Sequence, residues 1–410
     1  MSLIKDPRGV LVKRAFLLIS AASLSAVWAF WPQPALSHET ANTTVMFDRE
    51  IVRILNKKCV ACHTENNLGI PLTSYEQTRP WARAIEEEVL RRHMPPWRAV
   101  PGYGEFANDI GLTNRELQFI IAWVEGNGPK NQDQKLIVNV DQIKTPLSEQ
   151  LRPDFSRWQL GRPDLTGQLN ANTIEPGRPN EVKRVVVDMG LTSERWVRGL
   201  EFKPGDRRVV RAAFFSVQET GQWLGSWTPW WGATTLQNDV AYRVPAGSHV
   251  VAEIHYRSAD RPVEDRGTLG MYFAPTPPKH CPSDLVLQAD GDLVPGAARQ
   301  KFRAAVKLPA DTYLLALKPE VRPGAHSIEV SARKPDGTVQ VLLFVKDILQ
   351  EWPTPYILKQ PALLAKDTEL SVTSYYQTSA QTSADTPRAA GVKLTVSRYD
   401  DKGGCSATAP

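Results

Sequence analysis

Five residues, Cys59-Val60-Ala61-Cys62-His63, constrain this chain more than any other feature of it. Two thiols three positions apart on a helical turn, with an imidazole beside the second, have the spacing at which a c-type haem is attached. Each thiol can form a thioether with a haem vinyl group, and the histidine then lies under the macrocycle as an iron ligand. A structural zinc site needs a second ligand pair, and the other cysteines, Cys281 and Cys405, lie far from the pentad and from each other. A thioredoxin-type pair opens a helix after a strand. This pair instead closes an amphipathic stretch with Ile51, Ile54 and Leu55 at helical spacing. The expectation is a single covalent haem c held by Cys59 and Cys62, with His63 on the iron.

The start of the chain agrees with such a cofactor, which is attached outside the bacterial cytoplasm. Lys5, Arg8, Lys13 and Arg14 precede an apolar run from Ala15 to Trp31, and Ala35-Leu36-Ser37 supplies small residues for cleavage. Residues 1–37 therefore read as a signal peptide, cleaved after Ser37, with no membrane span left in the mature protein. A periplasmic location follows. There Cys281 and Cys405 are candidates for one disulfide. The formal net charge of +5 includes the leader's own basic residues, so the mature surface is only mildly basic and nucleic acid is not implied.

Texture divides the mature chain. Residues 38–130 read as a compact all-α cytochrome c domain. Asp48 is a candidate cap for the helix leading to the pentad, Arg79 to Arg92 forms a second helix, and Thr113-x-x-Glu116 is a capping box for a third, which Gly126 stops. Residues 131–157 read as a polar linker. From there short β-rich runs, such as Arg184 to Val187, His249 to Tyr256 and Val339 to Val345, alternate with turn signals such as Pro335-Asp336-Gly337. Antiparallel sandwiches are expected at 158–278 and 279–410, with the seam near Thr276 to His280. The fold class is multidomain α + β.

A second iron ligand is expected from Met94, in His93-Met94-Pro95-Pro96-Trp97. A thioether favours reduced iron, and two prolines hold the loop that presents it. His93 is the competing ligand. Trp97, Phe106 and Trp123 are candidates to pack around the porphyrin. His249 and His255 share a strand face with Glu253 between them and form a candidate second metal site, weighed against ordinary strand positions. His38, His280 and His326 read as surface residues. Trp223, Trp227, Trp230 and Trp231 read as loop packing, with a ligand-binding surface as the alternative.

Arg92 to Trp97, Gly104 to Asp109 and Ile121 to Gly126 resemble a bacterial class of c-type cytochrome domains with a Met-Pro-Pro-Trp motif. In that class the methionine, here Met94, is the axial ligand. The rest of the chain is similar to copper type II, ascorbate-dependent monooxygenases of the peptidylglycine hydroxylating kind. The similarity runs in order through Val197 to Gly205, Val244 to Ser248, Ile254-His255-Tyr256, Gly270 to Ala274, Lys334 to Gly337, Trp352 and Tyr356. It implies two jelly-roll-like β-sandwiches. The copper ligands do not carry over. The family's His-His pair falls on Arg211 and Ala212, and its His-x-His on Glu320 and Arg322. Its late methionine is missing, so His255 is the one residual position. Copper of this type needs several imidazoles, so copper is not expected.

The function expected is a periplasmic monohaem cytochrome that passes single electrons to or from a periplasmic redox protein or complex. It would be a carrier rather than an enzyme, with the β region as a docking or scaffold module. Two alternatives are a haem-fed copper monooxygenase, an oxidoreductase, and a haem-based sensor or binding protein.

Overall fold

The computed structural model describes residues 43–65, 67–131, 154–177, 180–236, 239–294, 299–377, 389–400 and 405. The expected leader, His38 and residues 132–153 of the expected linker lie outside the described residues. None of the described helices is long and apolar enough to cross a membrane.

The amino-terminal segment holds short helices. A π-turn, Phe47–Ile51, runs into α1, Val52–Lys58. Asp48 does not cap it; Glu50 reaches back and accepts from the Met46 amide at 2.9 Å. Ser74 caps α2, Tyr75–Thr78, and α3 spans Ala82–Leu90. The capping box of Thr113 and Glu116 starts α4, Asn114–Glu125. One face of each helix is apolar, and Phe47, Ile51, Leu55, Val89, Ile120 and Trp123 meet in a small core.

Antiparallel sheets make up the rest. In the first β region, Glu181–Asp188, His249–Tyr256, Val210–Val217 and Trp223–Trp227 pair in that order. A second sheet runs Leu165–Gln168, Thr268–Phe273, Arg195–Lys203, Ala233–Thr235, with Tyr242–Val244 also on Arg195–Lys203, and Asn172–Ile174 pairs with Val263–Asp265. Strand His249–Tyr256 alternates half-buried and buried positions, the period-two pattern that lets one face close a core. Phe202, Phe215, Trp227, Ile254 and Leu269 fill that core. In the second β region, Ser283–Asp292, Ala389–Asp400, Thr312–Val321 and Tyr356–Leu364 form one sheet. Arg299–Lys307, Glu369–Gln377, Ala325–Arg333 and Val339–Lys346 form the other. Leu314, Leu317, Val330, Leu343, Val372 and Leu394 fill the second core. Cys281 and Cys405 are joined in a disulfide spanning 124 residues.

The expected fold class fails at its amino-terminal member: there is no all-α cytochrome domain. Among the described residues antiparallel sheets dominate, and the helices are few and short. The segment between α3 and α4 leaves the helical core altogether. Trp97, Phe106 and Ile110 are buried in the core of the second β region rather than around a porphyrin. Backbone bonds run from Val100 to Phe344 (2.8 Å), Lys346 to Arg98 (3.2 Å), Ala107 to Ile357 (2.8 Å) and Lys359 to Glu105 (2.9 Å). Asn108, buried, donates to the Pro355 carbonyl at 2.7 Å and accepts from the Ile357 amide at 3.1 Å. The physical reason is size. Helices of 7, 9 and 12 residues cannot bury enough apolar surface alone, and the intervening loop finds its burial on the sheets. Trp123 stays in the helical core, with its indole N–H on the Pro129 carbonyl at 3.0 Å.

Two smaller expectations change as well. His280 is half-buried rather than a free surface residue: its amide donates to the Asp239 carbonyl at 2.9 Å and its ring stacks on Tyr399 at 4.7 Å, at the seam between the β regions. Trp223 and Trp227 are buried at the two ends of one strand rather than in a loop, and Trp230 donates to the Asn108 carbonyl at 3.2 Å.

Candidate functional site

The pentad forms the turn that closes α1. Cys62 and His63 amides both donate to the Cys59 carbonyl, at 3.0 and 3.1 Å, which puts the two thiols on one turn. The chain then doubles back. Gly69 donates to the Cys62 carbonyl at 2.9 Å and Leu72 to the His63 carbonyl at 3.0 Å. The doubling presses backbone against the imidazole. A Cβ on Gly69 would lie 2.4 Å from His63 Cε1 and Nδ1, so a side chain at this position would displace the ring. His63 Nδ1 lies 2.8 Å from the Ile70 carbonyl oxygen. A carbonyl can only accept, so Nδ1 carries the proton and Nε2 keeps its lone pair for a metal. Burial lowers the His63 pKa, which keeps the ring in the neutral, ligating form.

Cys59, Cys62 and His63 line a cavity of about 410 Å³, within the roughly 300–1,000 Å³ usual for cofactor-sized sites. Leu68, Ile70, Leu72, Ile85 and Val89 make its walls largely apolar, and Met94, Pro95 and Pro96 reach it from the loop after α3. His93 does not line the cavity; its ring lies half-exposed, with Nδ1 3.4 Å from Glu88. The donor set fits an iron porphyrin: two unoxidised thiols, a tautomer-locked imidazole and a thioether face one apolar space. Burial pushes both thiols up to about 12. That is opposite to the depressed pKa of a disulfide-exchange pair. Among the described residues no three His, Cys, Asp or Glu side chains converge as an ion held by protein ligands requires.

Sequence reasoning missed the far wall. Arg211 and Arg257 come from the first β region, Glu351 and Trp352 from the second. No local motif ties them to the pentad, because they reach it only through the tertiary fold. Arg211 stands where the resemblance places a copper ligand, and the fold turns it to this cavity instead.

The other singled-out residues lie elsewhere. His255 Nε2 sits 3.1 Å from Glu253, and its ring stands edge-on to Phe214 at 5.5 Å. His255, with Arg184 beside it, holds the Glu253 carboxyl down at about 2. His249 pairs with Glu219 at 2.9 Å, so the two histidines share a face but have different partners. Glu320 forms ion pairs with Lys318 and Lys393, and Arg322 with Asp290.

A larger cavity, about 720 Å³, lies between the β regions. On its wall Asp284 accepts from the Trp223 amide at 2.6 Å, while its Oδ1 is buried without a partner. Burial pushes this carboxyl up to about 6. Its folded pKa therefore lies above the unfolded value, near 3.9. The stabilising share is complete below about pH 4 and lost as pH rises through 6. Asp284→Asn keeps an acceptor and removes the charge. It should stabilise the fold on the order of 2 kcal/mol at pH 8 and leave it unchanged at pH 4. Urea unfolding at the two pH values measures this; equal gains at both would refute it.

No family model and no curated protein matches the chain. Among solved structures it is similar to the major capsid protein P2 from bacteriophage PM2, with 9% identity, 57% of this chain and 100% of that chain covered, and a TM-score of 0.28. It is likewise similar to PNGase F, a glycosylasparaginase from Flavobacterium meningosepticum, with 12% identity, 60% and 98% covered, and a TM-score of 0.28. At these scores the likeness carries no argument about function.

Proposed function

We propose that this protein is an exported single-electron carrier in which Cys59 and Cys62 would hold one haem c, with His63 and Met94 as the residues that would hold its iron. One observation carries the reading: these four residues, three from the pentad and one from the loop after α3, line the same largely apolar cavity. When bound, the haem would supply reversible one-electron chemistry.

The chain's own residues prepare for it. The Ile70 carbonyl and Gly69 set the rotation and tautomer of the His63 ring. Pro95 and Pro96 restrict the loop that bears the Met94 sulfur. Leu68, Leu72, Ile85 and Val89 keep water from the site, and a dry site disfavours the extra positive charge of ferric iron. The Cys281–Cys405 bridge suits the oxidising compartment that the amino-terminal leader pattern implies. The β region closes the cavity and offers a large surface for a redox partner of the same compartment, which is a scaffold role.

The test begins with metal analysis and a visible spectrum of protein made in a cell that matures c-type cytochromes. One iron per chain, a c-type reduced spectrum and slow carbon monoxide binding are expected. Met94→Ala should open the sixth position, so that the ferrous form binds carbon monoxide rapidly and the potential falls. Stoichiometric copper with oxygen-dependent product formation would replace this reading with the monooxygenase. An open sixth site in the unaltered protein would replace it with the sensor.

A further inference from the structure

The far wall of the cavity carries two arginines, Arg211 and Arg257, that form no ion pair among the described residues. Arg211 follows Val210 where the pairing of Val210–Val217 with His249–Tyr256 shifts register: Val210 opposes Tyr256, and Ala212 opposes His255. Arg211 is the extra residue of that β-bulge. A bulge re-aims a side chain out of the regular alternation, and this one turns Arg211 to the cavity. Arg257 follows the partner strand directly and lines the same wall.

Their partners are carbonyls. Arg211 Nη1 donates to the Glu351 backbone oxygen at 3.4 Å, and its guanidinium lies over the Trp352 ring at 5.2 Å. Its Nε is buried with no partner. Arg257 donates to the Leu68 and Ser258 carbonyls. Burial first, and then the nearby Arg257 charge, disfavour the charged form of Arg211, while Glu351 on the same wall favours it. Among the described residues neither arginine forms an ion pair. Two adjacent, half-buried guanidiniums with spare N–H donors are costly unless an anion completes them.

An iron porphyrin of this type brings two propionate carboxylates, and guanidinium is the side chain best shaped to bind carboxylate. We propose that Arg211 and Arg257 form the propionate clamp of the bound haem, so that the first β region supplies part of the cofactor site. This rests on the haem reading above and goes beyond it. The cofactor would be fastened to one part of the chain by thioethers and held by charge to another, so the redox centre and the β region form one functional unit.

Arg211→Gln, Arg257→Gln and the double variant, each as full-length holoprotein, test it. Covalent haem per chain should stay unchanged, because the thioethers do not depend on the clamp. Removing a nearby cation favours ferric iron, so each single variant should shift the reduction equilibrium by about tenfold toward the oxidised form, and the double variant further. A propionate that has lost its partner should also titrate, adding a pH dependence to the potential that the parent protein lacks. Arg211→Lys with Arg257→Lys keeps the charges and should restore most of the potential, and it covers the case in which the glutamine variants fold poorly. Haem present with potential and pH profile unmoved in the double variant overturns the clamp and leaves the haem reading intact. Absence of covalent haem from the unaltered protein overturns the haem reading itself.

Discussion

Replacing Cys59 and Cys62 together with alanine is expected to give a folded protein without covalent haem. Both thiols face the cavity and neither is in a disulfide, so under the proposed function their role is to form the two thioethers. Removing them leaves at most a non-covalent site that denaturation empties. Structure should survive: the two β cores do not include either residue, and alanine suits the turn that closes α1. The check is an in-gel haem stain under denaturing conditions beside a far-ultraviolet dichroism spectrum. Parent protein should stain and the double variant should not, with the same β-sheet signal. Covalent stain that persists in the double variant would remove the pentad from the account.

Trp97→Ala should cost about 3–5 kcal/mol, the usual loss for emptying an aromatic site in a packed core. Trp97 is 9% exposed. It stands edge-on to Phe106 and Tyr356, with ring centres 5.9 and 5.2 Å away. It belongs by sequence to the amino-terminal segment and by packing to the second β region. The damage should therefore spread: amide exchange should speed up along Tyr356–Leu364 and Val339–Lys346 as well as in the loop itself. An autonomous helical domain would confine the loss to its own helices. Urea unfolding joined to exchange on those strands separates the two cases, and unchanged protection there would mean that the loop merely rests on the sheet.

The helices and strands were legible wherever one short segment carries its own periodicity. The Thr113/Glu116 capping box starts α4 as read, and the run His249 to Tyr256 is a strand with one buried face. The all-α cytochrome domain was misread for an equally physical reason. Trp97, Phe106 and Ile110 look like core residues, which they are, but nothing local says which core. Apolar side chains report that they will be buried and not against what. Short helices and one apolar loop suit a small independent domain as well as they suit an appendage of a sandwich.

The pentad determines, from five residues, a chemical competence: two thiols and an imidazole on one turn, which holds in any fold that keeps that turn. The same locality makes Met94 legible as a candidate through its prolines. The tertiary structure decided that Met94 rather than His93 lines the cavity, that Gly69 must lack a side chain, and that Arg211 and Arg257 complete the wall. Those facts depend on distances between segments remote along the chain, and such distances are set by how two β cores and a small helical core share their burial.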